Sequence, residues 1–96
     1  MQGGFIAERA LLQEQLTSLA GATALTNLPA GTSMIMVIPE SQAVRWRDDG
    51  TDPTAAVGMP LAVGQTLIYT AKQMSRLKFI EQTASAKINV AYYAAA

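Results

Sequence analysis

Ninety-six residues make one domain, and leave no room for a second core. Half are hydrophobic and 15% charged, which excludes a wholly disordered chain and exceeds what the core of so small a domain absorbs, so the surplus is expected at subunit contacts. Seven basic residues balance seven acidic ones, and Cys and His are absent: no field draws nucleic acid or an anionic membrane, and no disulfide, thiolate site or imidazole base is available.

The opening Met1-Gln2-Gly3-Gly4 lacks the basic stretch and apolar run of a secretory signal. Between Phe5 and Leu19 the apolar residues Phe5, Leu12, Leu16 and Leu19 fall near helical spacing, with Glu8, Arg9 and Glu14 on the other face. Residues 16–19 and 22–26 also read as short strands, so helix and strand both stay open here. Residues 1–14 are accordingly assigned to an N-terminal arm and 15–96 to a β-sandwich domain. The stretch 16–39 carries no charge, but Asn27, Pro29, Gly31 and several Thr and Ser interrupt it, which a membrane-spanning helix would not carry together. A soluble protein is expected.

From residue 28 the pattern is β. Leu28-Pro29-Ala30-Gly31 is a turn, because Pro fixes φ and Gly accepts positive φ. The apolar run at 34–38 has strand length, is stopped by Pro39, and reads as covered on both faces. Residues 43–47 alternate, with Val44 and Trp46 on one face and Arg45 and Arg47 on the other, and Asp48-Asp49-Gly50 breaks the strand. Residues 51–64 form a loop with a brief extended piece at Pro60-Leu61. Residues 65–70, 77–81 and 86–92 are further strands, with Leu67 and Tyr69 sharing one face, and Ile88, Val90 and Tyr92 another. Strands at roughly ten-residue spacing with turns between them predict an all-β fold, an antiparallel sandwich or jelly-roll-like small barrel.

Little here points to catalysis. A Ser or Thr nucleophile would need Lys or a carboxylate as its base, and each Ser reads as turn or surface. Asp48, Asp49 and Asp52 bracket Gly50, but their spacing is not that of a calcium loop and a structural turn explains them better. No metal, cofactor or enzymatic activity is expected. Lys72, Arg76, Lys78 and Lys87, opposed by Glu81, read as a solvated face rather than a nucleic-acid site. Arg45 and Arg47 present rigid forks of donors that suit carboxylates across a subunit contact, or equally those of Asp48, Asp49 or Asp52 in the adjoining turn. A single Trp and three Tyr are few for a sugar platform, and Trp46 is better placed in a core.

A longer pattern runs through these residues. Val44-Arg45-Trp46-Arg47-Asp48-Asp49-Gly50-Thr51-Asp52-Pro53-Thr54 is followed by Gly58-Met59-Pro60-Leu61, Gly64-Gln65, Tyr69 and Phe79-Ile80, then Ala86-Lys87-Ile88-Asn89-Val90-Ala91-Tyr92-Tyr93. With Leu28-Pro29-Ala30-Gly31 ahead of them, they resemble a group of small structural proteins of tailed bacteriophages. The resemblance covers residues 15–94 and leaves 1–14 outside. It implies a β-sandwich virion component, assembled in the host cytoplasm, that decorates or cements the capsid or sits at the neck, tail or baseplate. Its partners would be copies of itself, a trimer being expected, and a larger protein such as the major capsid protein. A carbohydrate-binding host-attachment module is the reading from a different class. The residues expected at assembly contacts are Phe5, Ile6 and Leu12 in the arm, and Arg45, Arg47, Asp48 and Asp49 at the strand end.

Overall fold

The structure is a computed structural model that describes residues 8–95. Eight strands form two four-stranded sheets in which every pairing is antiparallel. The strands are β1 (Glu8–Leu16), β2 (Thr23–Ala24), β3 (Met34–Glu40), β4 (Val44–Arg47), β5 (Met59–Leu61), β6 (Leu67–Tyr69), β7 (Lys78–Glu81) and β8 (Lys87–Ala95), with one 3-10 turn at Met74–Arg76. The first sheet has the order β1-β8-β3-β6 and the second β2-β7-β4-β5. The chain changes sheet at every connection except β4–β5, so sequence neighbours face one another across the core while hydrogen-bonded neighbours come from distant segments. This is the all-β sandwich expected from the alternation.

Period-two alternation builds the core directly. Ile35, Val37, Ile88 and Tyr92 from the first sheet meet Val44, Leu61 and Phe79 from the second. Leu19, Leu25, Met74 and Leu77, from the connecting segments, complete the cluster. Each fully buried aliphatic or aromatic side chain contributes roughly 1.5–3 kcal/mol relative to an exposed one. Trp46, half-buried, sets its ring against Tyr69 across the two sheets, with centroids 6.1 Å apart and planes at 82°. That edge-to-face contact ties β4 to β6.

Three sequence expectations change here. Over the described part of the 5–19 segment, Glu8–Leu16 is a strand paired with β8 along its length, from Glu8 opposite Ala95 to Leu16 opposite Ile88. The arm boundary at 14/15 therefore falls inside β1, and residues 8–14 belong to the first sheet. Helical spacing failed because β8 offers an apolar inner row, Ile88, Val90 and Tyr92: Leu16 lies opposite Ile88, and it and Leu11 pack against the core. Next, the run at 34–38 is buried on one face only: Ile35, Val37 and Pro39 point inward, while Met34, Met36 and Ile38 stay half-buried on the outside. Nor does Pro39 stop the strand. The Gly64 N–H donates to the Pro39 carbonyl (3.0 Å), so this residue's backbone faces the β6 side beyond the end of β6, where no strand needs an N–H from it.

Candidate assembly surface

The outer face of the second sheet carries Arg45 and Arg47. Cross-strand register sets Arg45 beside Ile80 and Pro60, and Arg47 beside Lys78. Their guanidinium groups take different partners. Arg47 makes a two-pronged contact with Asp49, Nε at 3.1 Å and Nη2 at 2.6 Å. Hydrogen bonds from Arg47 and from the Thr51 N–H hold the Asp49 carboxyl at about 2, well below the ordinary carboxylate range. Lys78 reaches Asp52 at 2.8 Å.

Arg45 turns into the 51–58 loop, donating from Nε to the Ala55 carbonyl (3.1 Å) and from Nη1 to the Gly58 carbonyl (2.9 Å). The Gln82 amide oxygen, in the orientation that matches donors to acceptors, accepts from Nε at 2.9 Å and Nη2 at 3.1 Å. The loop folds onto this side chain because residue 58 is Gly. Its φ is +144°, and a Cβ would lie 3.2 Å from both the Trp46 carbonyl oxygen and Arg45 Cβ. Asp48 faces the other way and accepts from the Tyr69 hydroxyl, joining the end of β4 to the first sheet. Burial, reinforced by this bond, pushes the Tyr69 phenol up to about 12.

The assembly candidates therefore separate into groups. Arg47, Asp48 and Asp49 line one open depression of about 350 Å³ with Gly58 and Met59, the last 56% exposed. Arg45 lies beside it, its donors engaged within the chain. Leu12, 38% exposed, is on β1 at the edge of the opposite sheet. Phe5 and Ile6 lie outside the described residues. Of the two partners foreseen for the arginine forks, the adjoining turn supplies Arg47's through Asp49, while Arg45 takes loop carbonyls that sequence reasoning did not foresee.

A second surface was missed for a clear reason. The outer face of the first sheet presents Met36, Ile38 and Ala91 around a shallow depression of about 390 Å³, with Ile68 (51% exposed) paired to Met36 at its side. Gln15, Asn89 and Glu40 border it through hydrogen bonds of 2.9 Å (Asn89 to Glu40) and 3.0 Å (Gln15 to Asn89). Reading 34–38 as covered on both faces hid this side. The signal available was the Met, Ile and Ala on alternate positions of two paired strands.

Among the described residues no group of three acidic side chains stands close enough to hold a metal ion. Ser75 and Lys78 stand at the Ser-x-x-Lys spacing that some acyl-transfer enzymes use. Here Ser75 is exposed in the 3-10 turn, and the Lys78 ammonium pairs with Asp52. No protein-family model matches the chain. Searches of curated proteins and of solved structures likewise find no match. Among the described residues no helix is long and apolar enough to cross a membrane.

Proposed function

We propose that this chain is a non-enzymatic structural protein of a tailed-bacteriophage particle, a capsid decoration or cement protein that assembles with itself and with a larger virion protein. The observation that carries the reading is how its polar side chains are used. Arg45 braces a loop, Arg47 and Lys78 pair with neighbouring aspartates, and Asp48 and Glu14 hold buried tyrosine hydroxyls. The groups that would otherwise bind or transform a small molecule are engaged in shaping the sandwich. What faces outward is an apolar sheet face and loop ends, which suit packing against protein. The 15–94 resemblance supplies the particle. Trp46 packs inward on Tyr69, which speaks against a sugar platform.

Quantitative mass spectrometry of gradient-purified particles from the encoding phage tests the proposal. Peptides of this chain should appear in fixed proportion to the major capsid protein, and heads lacking the chain should lose DNA at a lower temperature. A handful of copies per particle moves the assignment to the neck or tail. Complete absence from purified particles overturns it.

A further inference from the structure

A sheet edge is an open row of backbone donors and acceptors, and this sandwich treats its four edges unequally. β2 is two residues long, β6 is three, and β5 is three with Pro60 at its centre. Each is too short or too interrupted to receive another strand. β1 is nine residues long, about 30 Å at a strand's usual rise, and contains neither Pro, Gly nor Lys. Among the described residues no strand pairs with its outer edge, which carries the charges of Glu8, Arg9 and Glu14 and one bulge.

The register shows which backbone groups point outward. Pro39 faces the β6 side, so Ile88 opposite it turns its N–H and C=O toward β1, and Val90 and Tyr92 follow by alternation. Tyr93 must then face β3, as it does, since its carbonyl accepts from the Ser33 N–H at 2.8 Å. On β1, Leu12, Glu14 and Leu16 lie opposite Tyr92, Val90 and Ile88 and bond inward to β8. Gln13, Gln15 and Ala10 therefore aim their backbone groups away from the sandwich. An irregularity between Ala10 and Leu12 places Leu11 as an extra residue mid-strand, beside the exposed Leu12.

We infer that β1 is an interface that takes a second copy of this chain, pairing β1 with β1 antiparallel about a twofold axis near its middle. Charge selects the occupant and its direction. Antiparallel pairing brings Arg9 of each strand toward Glu14 of its partner, whose carboxylate also accepts from Tyr92 and Asn27 of its own chain, and sets the exposed Leu12 beside the partner's half-buried Leu11. Parallel stacking would set Arg9 on Arg9 and Glu14 on Glu14, like charges directly opposed. The first sheets then join into one eight-stranded sheet, as an isologous contact of this kind requires. The contact gives a dimer, not the trimer that the resemblance implies. The inference rests on the reading of the chain as an assembling module, but not on its place in a particle, so a failed particle assay leaves it standing and the reverse also holds.

Sedimentation equilibrium over a wide concentration range tests it, together with amide hydrogen exchange. The purified chain should approach twice its own mass, and the Gln13 and Gln15 N–H groups should become protected as concentration rises. Gln13→Pro removes an outward N–H from each copy without touching a β1–β8 bond. It should weaken the dimer by about tenfold or more, with the thermal midpoint of the monomer little changed. Should that variant misfold, Gln13→Lys and Gln15→Lys keep the backbone and place edge charges that should have the same effect. A monomer at every concentration, a trimer, a dimer indifferent to all three substitutions, or protection that appears only on adding capsids each overturns the inference.

Discussion

The most informative single residue is Glu14, because its placement shows what the helical reading got wrong. On a helix it joins Arg9 on the polar side. On a strand it shares a face with Leu12 and Leu16 and enters the sandwich beside Val90. Two donors make that tolerable: the Tyr92 hydroxyl, and Asn27 Nδ2 at 2.8 Å. Burial, with this bond to Glu14 behind it, pushes the Tyr92 phenol far above its ordinary value. Tyr92 is wholly buried, so Tyr92→Phe keeps the packing and deletes one donor to a carboxylate. The expected loss is about 1.5–3 kcal/mol, read as a lower urea midpoint at unchanged slope. Tyr93→Phe on the outer face should stay within roughly 0.5 kcal/mol. Equal losses for the two would mean that Glu14 does not depend on the Tyr92 hydroxyl.

Whole strands were more legible than their surroundings. The alternation at 43–47, the Asp48-Asp49-Gly50 break and the brief extension at Pro60-Leu61 all appear as β4, its turn and β5, because each rests on local chemistry. Leu67 and Tyr69 share one face as expected, and that face is the inner one, with Tyr69 buried and Leu67 packed against the core. What was not legible depends on neighbours distant in sequence. Which sheet a strand joins, that one face of β3 stays open, and that β1 extends the first sheet are decided by β8, which no local pattern at 8–40 foretells. The bond between Arg45 and its loop belongs to the same class, since its acceptors lie ten and thirteen residues on. Arg45→Ala should therefore free the 51–58 loop before it disturbs the core. Limited proteolysis and amide exchange should quicken there by an order of magnitude or more, while global stability falls by about 1 kcal/mol. Uniform acceleration across all strands would show instead that this arginine supports the whole second sheet.

At the scale of the whole molecule, the sandwich is held across its core by apolar packing, and at two points neutral phenols donate to carboxylates. Tyr92 joins β8 to the Glu14 of β1, and Tyr69 joins β6 to the Asp48 that ends β4, one bond within the first sheet and one between the sheets. Both phenols are raised, first by burial and then by their hydrogen bonds. The unfolded chain therefore gives up these protons near the ordinary value of 10.0, while the folded chain keeps the Tyr69 proton until about 12 and the Tyr92 proton beyond that. A raised folded-state value means that the stabilisation is complete below 10.0 and drains away as pH climbs through the folded value. With no His in the chain, little should titrate between about pH 6 and 9, so the urea midpoint should be flat across that range and fall steeply above about pH 10. The variant carrying both Tyr69→Phe and Tyr92→Phe begins less stable, yet it should lose much of that alkaline slope because the groups that ionise differently in the two states are gone. If the double variant kept the full slope, the alkaline loss would have to come from other groups, and the phenol–carboxylate bonds would contribute packing geometry without pH dependence.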